Sequence, residues 1–326
     1  MLALAADNLL SPIILSFVLG LVAALARSDL SIPQAVAKGM SIYLLFAIGF
    51  KGGAAIADHG IDGRLLATMF AGFVLSAAIP LVAFGLLRTL VGMDRLNAAA
   101  VAGHYGSISI VTFVAGTSVL EGRALPAEGY MVAVAAVMEA PAILSALWLV
   151  SRGDSGGRMD ATLWREILLN GSIVLLVGSF IIGGVTGADG LEMVAPFIIS
   201  PFQGVLCLFL LDMGLIAGRG LTSTGGAVGP RAIAFGLIMP PIGAAFGLVA
   251  ALLLGLSAGG TALLMTLAAS ASYIAVPAAM RVALPEANPS IYLTLSLGVT
   301  FPFNLVIGLP VYVTIAERLV GVSSGV

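Results

Sequence analysis

Apolar segments of about 20 residues recur along the whole chain, and few charged residues interrupt them. A helix needs about that length to cross the hydrocarbon core of a membrane. Only 9% of the residues are charged, against about 25% in a soluble domain. The sequence therefore predicts an all-α polytopic membrane protein with about ten transmembrane helices. We place them near residues 9–26, 33–50, 65–90, 98–119, 128–150, 164–186, 196–217, 230–254, 259–283 and 290–316.

Two of these segments contain residues that disfavour an unbroken helix. One holds the run Ala268-Ala269-Ser270-Ala271-Ser272-Tyr273-Ile274-Ala275-Val276-Pro277, and the other holds Gly106-Ser107-Ile108-Ser109-Ile110-Val111-Thr112. Proline lacks the N–H that continues a helix and clashes with the preceding turn. Matching interruptions in the two halves of a membrane chain are the best sequence indication of a transporter binding site. We therefore predict a broken helix in each half, with the two breaks facing each other.

Short motifs of the first half return in the same order in the second half. Residues 44–53, 106–109, 126–130 and 139–141 resemble residues 210–218, 269–272, 285–288 and 300–302, respectively. An odd number of spans per repeat places the second copy upside down, as in many secondary transporters. We predict a first five-helix repeat in residues 1–150, a cytoplasmic linker in residues 151–162 and an inverted second repeat in residues 163–326.

The Lys and Arg residues predict the orientation, because cytoplasmic loops carry an excess of them. With the N-terminus outside, ten basic residues lie on the inner side: Arg27, Lys38, Arg88, Arg95, Arg152, Arg158, Arg165, Arg219, Arg231 and Arg281. The outer side holds Lys51, Arg64, Arg123 and Arg318. We expect both termini outside a bacterial inner (plasma) membrane and the linker in the cytoplasm.

The breaks supply candidate ligands for an anion. A half-helix that begins inside the membrane points backbone N–H groups at a ligand, and its dipole attracts negative charge. Serines at such a position can cap the helix or donate their hydroxyl groups. The predicted substrate-binding residues are Gly106, Ser107, Ser109, Ala269, Ser270 and Ser272. The competing interpretation is that these serines bond to carbonyl groups of continuous helices.

Candidate ligands for a cation are Thr112, Glu139 and Thr300. An ionisable residue in the bilayer core is a functional candidate by default, and Glu139 could bind Na⁺, carry a proton or neutralise a basic partner. Asp212 is either functional or a structural partner, with Lys51 as one choice. Lys51 lies near a helix end, where its ammonium group can reach the interface. The single Cys207 and two distant histidines predict no disulfide and no resident metal site.

These residues resemble the sodium-dependent bicarbonate permeases known from cyanobacteria, over nearly the whole chain. The resemblance is carried by residues 48–53, 106–112, 139–141, 268–272 and 284–290, with Pro277 and Arg281. It implies a core and a gate domain built from inverted five-helix repeats, a homotrimer, import of bicarbonate with Na⁺, and in some members closure by a PII-like protein from the cytoplasm. The chain departs from the pattern where Tyr273 follows Ser272 in place of an aspartate.

The sequence therefore predicts a secondary active transporter, a Na⁺-coupled symporter of bicarbonate or a similar small anion. It predicts no enzyme, no bound cofactor beyond the coupling ion, and no nucleic-acid partner. The alternatives are a cation–proton antiporter, with Glu139 as proton carrier, or an organic-anion carrier on the same architecture. A membrane enzyme is disfavoured because the chain offers no credible nucleophile–base pair, and a non-transporting receptor is a further alternative.

Overall fold

The structure is a computed structural model that describes residues 12–59, 62–151, 169, 171–223 and 228–321. The described residues fold into helices, and none of them forms a strand. The all-α prediction is confirmed. The predicted linker lies outside the described residues except for Ser151, which ends a helix.

The helices follow one another with short connections. The first half contains α1 Pro12–Leu25, α2 Gln34–His59, α3 Gly63–Leu86, α4 Arg95–Gly106, α5 Ile110–Gly122, α6 Met131–Val137 and α7 Pro141–Ser151. The second contains α8 Gly171–Ile198, α9 Phe202–Ser223, α10 Pro230–Leu254, α11 Ala258–Ala269, α12 Ala275–Ala283, α13 Pro289–Leu293, α14 Phe301–Phe303 and α15 Leu309–Gly321. Wider π-helical turns follow α3 and separate α13, α14 and α15.

Eight helical segments of the described chain are long and apolar enough to cross a membrane. Two further apolar helices, α1 and α11, are shorter than a full span. Eight spans are thus found in the described chain, and the number of ten stays a prediction. The chain is a multi-pass membrane protein.

Two boundaries can be compared with the sequence prediction. The segment α8 consists of two helices that meet at Gly187, whose φ of 60° and ψ of −150° are not helical and which glycine accepts because it has no Cβ. The predicted end of a span near residue 186 agrees with this break, although residues 188–198, predicted largely as a loop, form the second helix. The span predicted at residues 33–50 is too short, because α2 continues to His59.

The helices form two bundles. In the first bundle, α1 packs along α9 and α2 packs along α8 and α9. In the second bundle, α4 packs against α3 and α7, and α11 packs against α10 and α15. The two segments with predicted breaks belong to the second bundle, and the first bundle lies against it through α2, α8 and α9.

Glycines allow the helices of the first bundle to touch along their backbones. A β-carbon at Gly183 of α8 would overlap the carbonyl oxygen of Phe50 in α2, and one at Gly214 of α9 would overlap the carbonyl oxygen of Phe17 in α1. Lipid gives helices no hydrophobic reason to associate, so this close backbone packing is a main source of their attraction.

The packing predicts a contrast between two glycines of helix α8. Gly183→Ala should lower the thermal stability of the protein and its yield as a monodisperse particle, since the new methyl group forces α8 away from α2. Gly178 has open space where its β-carbon would lie. Gly178→Ala should leave stability unchanged or raise it slightly, because alanine is the better helix former by about 1 kcal/mol. Thermal unfolding of both variants in the same detergent checks this, and equal stability would contradict the close contact.

Candidate functional site

Two spans are interrupted near their middles, at the places that the sequence predicts. Residues 107–109 separate α4 from α5 and are here called the first break, and residues 270–274 separate α11 from α12 and are called the second break. Ser107, Ser109 and Ser270 have extended backbone angles. The structure thus disagrees with the competing interpretation of continuous helices.

The two breaks cross each other and are joined by hydrogen bonds. The backbone N–H of Ser109 donates to the hydroxyl oxygen of Ser270 over 2.9 Å. The N–H of Ser272 donates to the carbonyl oxygen of His104 over 2.7 Å. Each break therefore satisfies backbone groups that the other leaves without a helical partner, which matters because no water competes for them in a buried site.

Ser109 also begins helix α5. Its side-chain oxygen accepts hydrogen bonds from the backbone N–H of Thr112 over 3.2 Å and from the hydroxyl of Thr112 over 2.9 Å. This is an N-cap, the arrangement that serine favours at the start of a helix. The N–H groups of Ile110 and Val111 in the first turn have no partner inside the helix and point toward the break. The predicted anion ligand Ser109 and cation ligand Thr112 are thus direct neighbours.

Glu139 lies in a third interruption, which the sequence analysis did not predict. Residues 138–140 form a turn between α6 and α7, in the middle of one apolar span. The carbonyl oxygen of Met138 accepts a hydrogen bond from the hydroxyl of Ser76 in α3 over 2.6 Å. Glu139 is only 4% exposed, and its Oε2 atom has no hydrogen-bond partner. A buried carboxylate oxygen without a partner needs an explanation, and a role in binding a cation is one.

The three interruptions meet around a small cavity. Its volume is about 10 Å³, and its walls include Ser109, Glu139, Ser272 and Tyr273. A cavity of that size holds about one water-sized species. Carboxylate and hydroxyl oxygens are suitable ligands for a hard cation, and the start of helix α5 is suitable for an anion. The arrangement can therefore attract both signs of charge within one buried site.

The remaining predicted anion ligands lie at or beside the crossing. The hydroxyl of Ser107 is fully buried and has no partner. Gly106 lies against α3, where a β-carbon would overlap Pro80. The hydroxyl of Ser270 donates to the carbonyl oxygen of Leu267 while it accepts from Ser109. The carbonyl oxygen of Ala269 accepts from the side-chain amide of Asn304 over 2.8 Å.

Thr300 does not line the cavity with Glu139. It lies in a π-helical turn, where its hydroxyl donates to the carbonyl oxygen of Gly236 over 2.7 Å. Since that hydroxyl has a single hydrogen, the Tyr105 hydroxyl is the donor in their 2.6 Å contact. Thr300 therefore connects α4 to α10 by hydrogen bonds beside the crossing.

The suggested pair of Lys51 and Asp212 is wrong. The ammonium group of Lys51 lies 2.6 Å from the carboxylate of Glu121 in α5. Asp212 is buried in α9, and its Oδ2 atom has no hydrogen-bond partner. The second buried carboxylate is thus in the first bundle, away from the residues that line the small cavity.

Sequence reasoning missed two supporting residues. Asn304 connects the end of α11 to α15, because it also accepts a hydrogen bond from the Tyr312 hydroxyl over 3.0 Å. The sequence indicates such a role, since Asn304 is a polar residue in an apolar span. Tyr273 lines the cavity, and its buried hydroxyl interacts with the side chain of Ser109. In the sequence, Tyr273 differs from the family pattern only by standing in place of an aspartate.

Comparison with known proteins agrees with this architecture. A family model described as the Na⁺-dependent bicarbonate transporter superfamily matches residues 12–317. The match covers nearly the whole chain, including both breaks and the Glu139 turn. A search of curated proteins returned no match to the chain.

Proposed function

The chain belongs to the Na⁺-dependent bicarbonate transporter superfamily, and from this premise we propose that it is a secondary active transporter that couples Na⁺ to the import of bicarbonate or a similar small anion. The observation that carries the proposal is the crossing of the two breaks beside buried Glu139. A pair of crossed half-helices near the middle of a bundle is the common design of substrate sites in secondary transporters.

We propose that the two halves are inverted repeats, residues 1–150 and 163–326. The helix packing supports this, since α1 on α9 corresponds to α8 on α2 when the halves are exchanged. The pair α3 and α4 likewise corresponds to α10 and α11, and the pair α4 and α7 to α11 and α15. Helices α3 and α10 both carry interior prolines, which fits the same correspondence.

We assign the roles as follows. The anion is held by the hydroxyl groups of Ser107, Ser109 and Ser272, by that of Ser270 once it turns away from Leu267, and by backbone N–H groups at the breaks, next to Gly106 and Ala269. Na⁺ is held by Glu139 and Thr112 with freed carbonyl oxygens. Thr300 contributes through the packing of α4 against α10. Alternating access then moves the two bundles relative to each other around this site.

Coupled uptake into liposomes tests the proposal. Radiolabelled Na⁺ should enter proteoliposomes faster with external bicarbonate than with chloride, and an inward Na⁺ gradient should drive net uptake of the anion. Measuring Na⁺ avoids the leak of CO₂ through the bilayer. Absence of any coupled flux would contradict transport, and uptake that follows a pH gradient but not Na⁺ would indicate the cation–proton antiporter instead.

We propose that both termini lie outside, because ten of the fourteen Lys and Arg residues then lie on the inner side. Gly122 and Gly229 are exposed and have open space around their Cβ positions, so cysteines fit there. In a Cys207→Ala background, a membrane-impermeant maleimide applied to intact cells should label Gly122→Cys but not Gly229→Cys. The reverse labelling would show that the chain is inserted the other way.

We propose a homotrimer, and a PII-like cytoplasmic partner, on the family resemblance alone. Light scattering of the purified particle should give three times the chain mass of 32.9 kDa after correction for detergent. A monomeric mass would contradict the trimer. Co-purification with a PII-like protein from the same cells tests the partner, and its absence under all nucleotide conditions would contradict it.

A further inference from the structure

A second and much larger cavity lies between the two bundles. Its volume is about 410 Å³. The first bundle contributes Lys51 of α2 and Phe202 of α9, and the second contributes residues of α5, α6 and α11. Apolar side chains such as Phe113, Met131 and Leu263 form most of the wall. Bicarbonate has no apolar part, so a cavity of this size and lining suits a different class of ligand.

The charged side chains that line this cavity differ in whether they can contact a ligand. Glu128 lines it, but both carboxylate oxygens accept hydrogen bonds from Ser257, one from the backbone N–H over 2.7 Å and one from the hydroxyl over 3.0 Å. Ser257 caps helix α11, so the charge of Glu128 is also offset by the positive end of that helix. Glu128 therefore serves the helix and is not free for a ligand.

Lys51 and Glu121 form the other charged pair, and the two partners differ in exposure. The side chain of Lys51 is 30% exposed and that of Glu121 is 49% exposed. The ammonium group also lies 5.3 Å from the centre of the Phe202 ring, which favours a cation at that place. Exposed ion pairs contribute little to stability. Glu121 can therefore turn into water at small cost, whereas Lys51 remains beside apolar walls and needs a replacement anion.

We propose that the cavity between the bundles binds an amphipathic monocarboxylate, whose carboxylate replaces Glu121 on Lys51 and whose apolar body lies against Phe113, Met131 and Leu263. The ligand contacts both bundles at once. Its binding therefore opposes any motion that moves α2 and α9 away from α5 and α6. This site is separate from the crossing of the two breaks.

Direct binding tests the proposal without reference to transport. The probe is radiolabelled 4-phenylbutyrate in equilibrium dialysis against the protein in lipid nanodiscs, with empty nanodiscs subtracted. The acid should bind at least about tenfold more tightly than 4-phenylbutanamide, its neutral analogue, because the charge-assisted contact with Lys51 is lost in the amide. Equal binding of acid and amide, or tighter binding of 4-phenylbutylamine, overturns the proposal.

Three variants locate the site. Lys51→Met should lower the affinity for the acid to that of the amide, and Leu125→Trp, which fills the cavity, should weaken both probes. Glu121→Gln should raise the affinity for the acid by roughly two- to fivefold, since it removes the carboxylate that competes for Lys51. A gain of affinity cannot result from misfolding. Unchanged binding in Lys51→Met or Leu125→Trp, or weaker binding in Glu121→Gln, overturns the proposal.

Discussion

Replacing Ser272 with aspartate should abolish anion uptake while the protein still folds. The hydroxyl oxygen of Ser272 accepts from the N–H of Val276 at the start of α12 over 3.4 Å, and an aspartate can accept the same bond. The carboxylate of the aspartate would enter the cavity that Glu139 already lines. If it lies about 4 Å from the bound anion, the two negative charges repel by about 4 kcal/mol at an effective dielectric constant of 20. That corresponds to roughly a thousandfold loss of anion affinity.

Two neutral variants separate charge from size at the same position. Ser272→Asn has nearly the shape of the aspartate and can cap the helix, so it should retain measurable uptake. Ser272→Ala removes one hydroxyl and should weaken anion binding by up to roughly tenfold, since a neutral hydrogen bond contributes about 0.5–1.5 kcal/mol. Initial rates of bicarbonate-dependent Na⁺ uptake, normalised to the amount of folded protein, give the order.

The expected order of uptake is parent, then Ala and Asn, then Asp. If the folded Asp variant transports as well as the parent, the anion does not bind at the second break. If Asn is as inactive as Asp, the loss comes from steric exclusion, and the electrostatic argument for the anion site fails. Only the charge-dependent result supports the assignment of Ser272.

The breaks were predictable because their cause is local. Serines, small residues and Pro277 disfavour a continuous helix wherever the chain places them. The crossing itself required a second inference, from the repeated motifs, that the two halves correspond. Its specific bonds, from Ser109 to Ser270 and from Ser272 to His104, could not be predicted, because they join residues more than 160 positions apart.

Other features depend on neighbours that sequence patterns do not show. The π-helical turns around Thr300 have no proline at their start, and the Thr300 hydroxyl bonds to α10 rather than to its own helix. The prediction that Lys51 lies near a helix end is wrong, because α2 continues to His59. Its partner Glu121 lies 70 residues away on a helix of the other bundle. The Glu139 turn was missed although Pro141 follows closely, because proline is also common in the first turn of a helix.

Replacing Glu139 with glutamine should raise thermal stability and remove the dependence of transport on Na⁺. The parent protein buries a carboxylate oxygen that has no hydrogen-bond partner in the structure. Burial of an uncompensated charge is costly, so the neutral amide should stabilise the protein in Na⁺-free buffer. The same change removes the negative charge that attracts the cation. Stability and transport should therefore move in opposite directions, which general damage to the fold does not produce.

Asp212 provides a matched control for this prediction. It is also a buried carboxylate with an unpartnered oxygen, but it lies in α9 and does not line the small cavity. Because Na⁺ binds the folded protein and not the unfolded chain, the parent should unfold at a higher temperature in NaCl than in choline chloride. Glu139→Gln should lose this shift, and Asp212→Asn should keep it. The opposite result would place the cation in the first bundle, while loss of the shift in both variants would contradict the assignment of the cation to Glu139 alone. If neither variant loses it, Na⁺ binds elsewhere, and Glu139 becomes the candidate for a proton site because its burial then has no cation to explain it.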